Sequence, residues 1–216
     1  MSIPPLPPSA ASEKVAQAYS RLQELFGGGE LPDVVLCYGQ VEPFLRDFAM
    51  NFRKFVGTEG ALDVRTKTLL ALATACQARC PAWWELLSDR ARRLGVTEVQ
   101  LREVVALVAT NAMYNAFFKF RELSGSGLFS GMPVGLRAHT LSGTSLDEKT
   151  VELISLVVSN LNGCRPCTSG HVEAARRLGL TDEQILEAVQ CAATLAAACQ
   201  FTRAAAPSAP ATTALE

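Results

Sequence analysis

The chain repeats itself. Residues 91–112, "ARRLGVTEVQLREVVALVATNA", align with residues 175–196, "ARRLGLTDEQILEAVQCAATLA", at an offset of 84, and 12 of the 22 positions are identical. Two copies are too few for a solenoid, so the match points to one fold built from a duplicated unit. The shared residues describe that unit. Gly95 and Gly179 stand where a helix ends in a left-handed residue, a conformation open to glycine without steric cost. Thr97 and Thr181 follow as N-caps, with Gln100 and Gln184 three residues later as capping-box partners. Each copy is a helix, a glycine turn and a second helix.

The surrounding sequence is helical in pattern. Apolar residues recur at three- and four-residue steps, and no segment shows the strict alternation of a half-buried strand. Helices are expected at 12–26, 41–56, 64–79, 81–94, 98–120, 147–161, 165–178 and 182–205. The fold class is therefore all-α, with a duplicated core of about eight helices. Ser145 is expected to cap the helix that follows it, with Glu148 as partner. The chain divides into a proline-rich arm (1–11), expected to be flexible or extended, an N-terminal half (12–130), a C-terminal half (131–205) and a tail (206–216) of disordered composition.

Composition narrows the function classes. With 216 residues, 49% of them apolar, the chain can bury a sizeable core. A net charge of -1 advertises neither a nucleic acid nor an acidic membrane surface as partner. The opening "MSIPPLPPSAAS" lacks the basic and apolar regions of a secretory signal, and the apolar runs are broken short of a bilayer span. The expectation is a soluble, cytoplasmic protein. Its seven cysteines are odd in number and scattered through helical segments, unlike a secreted disulfide framework. In a reducing compartment, a close cysteine pair points to catalysis or metal binding.

The same offset of 84 pairs Thr68 with Glu152, Cys80 with Cys164, Trp83 with Cys167 and Leu87 with His171. Only the second copy carries the polar set. In "NGCRPCTSGH" (162–171), the "NG" breaks one helix and the next begins near Cys164. The start of a helix offers unpaired N–H groups and the positive end of its dipole, and Arg165 adds a charge of the same sign; all favour a thiolate. Cys164 and Cys167 stand i, i+3, and Cys167 and His171 stand i, i+4, so the three share a face. Glu152 lies on the antiparallel helix before them, where it can orient or charge the imidazole.

Three readings fit these residues. One is a redox dithiol that attacks O–O or S–S bonds and closes a Cys164–Cys167 disulfide. Another is a zinc site of Cys164, Cys167 and His171, with Glu152 or Cys80 as fourth ligand. The third is a pair of core cysteines beside a stray histidine. Within the first, the i+4 histidine favours Cys167 as nucleophile, whereas the helix start and Arg165 favour Cys164. Cys37, Cys76, Cys80, Cys191 and Cys199 read as core residues. His139, in a loop between the halves, reads as structural or exposed. The aromatic run "MYNAFFKFREL" (113–123) and the "WW" at 83–84 read as core or subunit interface.

Glu152, eleven intervening residues and "NGCRPCTSGH" together resemble the Glu-x11-Cys-x2-Cys-x3-His pattern of the AhpD-like alkylhydroperoxidases, within the carboxymuconolactone decarboxylase superfamily. The resemblance extends to "GLRAHTLSG" (135–143), to "NAMYNAFFKFREL" (111–123) and to the lead-in from residue 31. It implies an all-helical fold with a duplicated core, assembled as a trimer or other homo-oligomer. It also implies reduction of organic hydroperoxides without a bound cofactor, and service as reductant to a partner peroxiredoxin, with dihydrolipoyl proteins restoring the dithiol. Carried over, Cys167 is the attacking thiol, Cys164 resolves it, His171 relays the proton and Glu152 is its acidic partner. Relatives often carry a histidine or an aromatic residue between the cysteines, where this chain has Arg165 and Pro166.

Overall fold

The structure is a computed structural model and describes residues 3–205; the expected disordered tail lies outside the described residues. Among the described residues there are nine α-helices: α1 (Glu13–Phe26), α2 (Asp33–Leu36), α3 (Glu42–Phe52), α4 (Val64–Gln77), α5 (Pro81–Arg93), α6 (Glu98–Leu123), α7 (Glu148–Leu161), α8 (Arg165–Arg177) and α9 (Asp182–Ala205). There is no strand among the described residues. The helix additional to those expected is the single turn α2, and α3 runs on into a π-helical turn, Arg53–Gly57. The arm is tied down, with Leu6 N–H donating to Leu36 O and the Tyr19 hydroxyl donating to Leu6 O, and it closes in a 3-10 turn, Pro8–Ala10.

The repeat is realised residue for residue. Adding 84 to the bounds of α4 and α5 gives those of α7 and α8. Asp63 and Asp147 cap α4 and α7 by accepting from Thr66 N–H and Thr150 N–H. Both expected capping boxes form: Thr97 with Gln100, and Thr181 with Gln184. The cap expected at Ser145 does not. Asp147 takes that role, and Ser145 donates its N–H and hydroxyl to Glu103 of α6, each at 2.8 Å.

Helices α4 and α7 form the centre. Lys67 to Ala75 are buried without a break, and α7 is buried over most of its circumference, as suits a helix enclosed by others. α5 packs on α4 and α8 on α7, while the long helices cross over, α6 onto α7 and α9 onto α4. A glutamate at the same repeat position secures each crossing. Glu103 holds the lead-in to α7, and Glu187 accepts from Leu62 N–H at 2.7 Å ahead of α4. Glu187 also pairs with the fully buried Lys67 at 3.2 Å; removing one member of such a pair costs about 3–5 kcal/mol. By length and composition α9 is apolar enough to cross a membrane. Here it is a core helix, with Ile185, Ala188, Cys191, Leu195 and Cys199 buried.

Candidate active site

The turn between α7 and α8 is made by Asn162 and Gly163. Gly163 has φ +64°, and the chain then enters α8 with Cys164 as N-cap. Pro166 falls in the first turn of α8, where its missing N–H has no partner to lose. Cys167 is the third helical residue, so its own amide is also among the unpaired donors of that turn. Both sulfurs therefore lie in the field of the helix start. The distinction between them is access: Cys164 is fully buried, and Cys167 is half-buried.

Cys164 and Cys167 are joined as a disulfide, with Cα atoms 5.3 Å apart. One turn further on, His171 Nδ1 and Glu152 Oε1 are 2.5 Å apart. Their side chains are about one-fifth exposed, so the pair is shielded without being sealed from water. With Nδ1–H directed at the carboxylate, the neutral ring keeps Nε2 free to accept a proton. The structure thus brings Glu152, Cys164, Cys167 and His171 to one place. His139 is exposed, and Cys80 is the N-cap of α5 in the other half.

Cys167, His171 and Glu152 open into a pocket of about 390 Å³. Tyr114 and Phe118 of α6, Leu141 and Pro166 form its apolar wall. This corrects the reading of the aromatic run as core or interface alone: Tyr114 and Phe118, stacked at 6.2 Å, line the same pocket as Cys167. The Tyr114 hydroxyl donates to Leu136 O at 3.0 Å and so fixes the loop that carries Leu141.

A polar ladder beneath the pocket escaped the sequence reading. Asn111 donates to Ser155 Oγ at 3.0 Å and Asn115 to Ser159 Oγ at 2.9 Å, all four residues being buried. Asn162 Nδ2 donates to Asn115 Oδ1 at 2.7 Å, Gln77 Nε2 donates to Asn162 Oδ1, and Lys119 Nζ reaches Asn162 O at 3.1 Å. The turn that delivers Cys164 is thereby fastened from α4 and α6. Two asparagines four apart, facing two serines four apart, were the available signal.

The family model described as Carboxymuconolactone decarboxylase family matches residues 43–123 and again 129–209. The chain belongs to this family. Among its relatives, the alkyl hydroperoxide reductase AhpD of Anaeromyxobacter sp. (strain Fw109-5) is 31% identical over 153 residues, covering 71% of this chain and 82% of that one. The alkyl hydroperoxide reductase AhpD of Methylobacterium sp. (strain 4-46) is 30% identical over 168 residues, covering 76% and 94%. A carboxymuconolactone decarboxylase family member with two matched repeats agrees with the duplication seen in both sequence and helices.

Proposed function

We propose that the protein is an alkylhydroperoxidase that reduces organic hydroperoxides through a Cys164–Cys167 dithiol. The observation that carries the reading is the half-buried Cys167 in an apolar pocket, one turn from a histidine bonded to Glu152, with Cys164 buried behind it. His171, held by Glu152, takes the Cys167 proton. The thiolate attacks the terminal oxygen of ROOH, the O–O bond breaks, and Cys167 becomes a sulfenic acid. The departing alkoxide takes the proton from His171 and leaves as ROH. Cys164 then attacks the Cys167 sulfur; the S–S bond forms, and hydroxide leaves with the Cys164 proton as water. Two electrons pass from the sulfurs to the peroxide, and an external dithiol returns them.

A second reading, a redox adaptor that reduces a partner peroxiredoxin disulfide, draws support from the exposed collar of Arg165, Pro166, Ser169 and Gly170 around the pair. A dihydrolipoyl protein is the corresponding donor. Self-assembly belongs to the same proposal, since α6 turns Val105, Met113 and Phe120 to solvent. So does a cytoplasmic setting.

The test is mass analysis of the reduced protein after one equivalent of an alkyl hydroperoxide. The expected products are one Cys164–Cys167 disulfide and one alcohol, with turnover abolished in Cys167→Ser. Wild-type turnover in that variant would overturn the assignment. One tightly held zinc per chain, with no titratable thiol, would replace it with the metal reading. A mixed disulfide trapped on Cys164→Ser by a peroxiredoxin, but not by peroxide, would favour the adaptor.

A further inference from the structure

Cys80 is built like Cys164. Each is the N-cap of the middle helix of its half, α5 or α8. Each amide donates to the carbonyl five residues back, Cys80 to Ala75 O and Cys164 to Ser159 O, both at 3.0 Å. Each follows a left-handed residue, Arg79 at φ 51° and Gly163 at φ 64°. A cation from the end of a long helix holds each turn: Arg203 Nη1 on Ala78 O at 3.0 Å, and Lys119 Nζ on Asn162 O at 3.1 Å.

The partner sulfur is what differs. Trp83 stands where Cys167 would be, but α9 supplies Cys199, at the position that Asn115 holds in the second half. Contacts on either side lay α9 along the start of α5. Trp83 Nε1 donates to Thr202 Oγ1 at 3.2 Å, and the Tyr38 hydroxyl, which accepts from Trp83, donates to Ala198 O at 2.9 Å. Cys199, Thr202 and Arg203 share one face of α9 (i, i+3, i+4), and with Thr202 on Trp83 and Arg203 on Ala78 O that face lies against the turn that carries Cys80. The two side chains are 2% and 0% exposed. The Cys199 thiol, with Trp83 N–H and Arg203, draws the Cys80 thiol down to about 6, while Cys199 is pushed up as the donor of the pair.

We propose that Cys80 and Cys199 are a second redox pair, which oxidation closes to a disulfide tying α5 of the first half to α9 of the second. With hydrogen peroxide, the Cys80 sulfur attacks one oxygen and the O–O bond breaks, giving the sulfenic acid and, with a thiol proton, water. The Cys199 sulfur then displaces the hydroxyl; the S–S bond forms and the second proton completes a second water. Two electrons leave the sulfurs for one peroxide. Burial makes the step depend on transient opening of the end of α9, so it runs slower than closure of Cys164–Cys167.

The experiment uses the full-length Cys164→Ser/Cys167→Ser variant, so its result does not depend on the peroxidase reading. The reduced protein is treated with hydrogen peroxide, alkylated under denaturing conditions, and its peptides are mapped. A cross-linked Cys80–Cys199 peptide is expected, with a raised thermal midpoint and loss of both effects in an added Cys199→Ala. Circular dichroism checks that this last variant folds. Complete alkylation of both cysteines, a Cys76–Cys80 link, or Cys80 oxidised to sulfinic acid with Cys199 untouched would each overturn the proposal.

Discussion

The two halves share a backbone and differ in what fills it. Around Cys167 is a pocket; around Trp83, at the matching position, is an aromatic plug. Phe26, Tyr38, Phe48 and Phe52 all come within 6.5 Å of the Trp83 ring, and every one of them is contributed by the segments before α4. Ala174, which borders the pocket, corresponds to Arg90, whose guanidinium donates to Thr68 Oγ1, Gly57 O and Leu25 O. The ladder of Asn111, Asn115, Ser155 and Ser159 corresponds to Leu195, Cys199, Ala71 and Ala75. One half has used its cleft to seat α1–α3 and gained core; the other has kept the cleft open and holds polar groups there.

If that division of labour is right, matched substitutions should have opposite consequences. His171→Ala removes the proposed proton relay and should slow hydroperoxide turnover by roughly 10²–10⁴-fold, with little loss of stability. Leu87→Ala, at the equivalent buried position, should cost about 2–5 kcal/mol in denaturant unfolding while leaving turnover per folded molecule unchanged. Equal loss of activity from both would break the comparison. Trp83→Ala should be the most destabilising change in the plug, about 3–5 kcal/mol, and it removes the indole N–H donor from the Tyr38 and Thr202 hydroxyls as well. The reduced protein should still close its Cys164–Cys167 disulfide with peroxide, as read by mass.

The legibility of these features in the sequence follows their range. The repeat was visible because its punctuation, Gly95 and Thr97 against Gly179 and Thr181, is local and set by backbone physics. The four site residues were visible because three share one helix face and the fourth lies on the helix immediately before it. Tyr114, Phe118 and Leu141 reach the pocket through α6 and a distant loop, and nothing in their spacing distinguishes a pocket wall from core. The cap at Asp147 was misread as Ser145 because both residue types cap helices; Glu103, 42 residues away in sequence, decides between them. The plug over Trp83 depends on how α1–α3 fold back, a long-range outcome that helix periodicity does not carry.

Smaller effects sharpen the boundary between the halves. Gln77 belongs to α4, yet its amide donates to Asn162 in the turn before Cys164. Gln77→Ala leaves the Asn162 oxygen without that donor, and should cost about 1 kcal/mol in stability with a few-fold slowing of turnover. An unaltered rate would mean that the first half serves the site as a foundation only.

The smallest expected effects separate the demands of the turn from those of the site. Gly163 and Arg79 occupy the same left-handed position, and no atom lies within 4 Å of a Cβ added at Gly163. Gly163→Ala therefore meets backbone strain without a clash and should cost about 1 kcal/mol, a fall of roughly 2–4 °C in the thermal midpoint. Arg79→Gly relieves that strain but frees the unfolded chain by a similar amount, so stability should stay within about 0.5 kcal/mol. Gly163→Arg then installs the residue that the first half already accommodates. If the left-handed turn alone governs the position, this variant folds with the same small loss as Gly163→Ala and closes its disulfide at a normal rate. A fold that survives together with a slowed disulfide would show that the second half needs glycine for access to the sulfurs, a constraint from which its plugged counterpart is free.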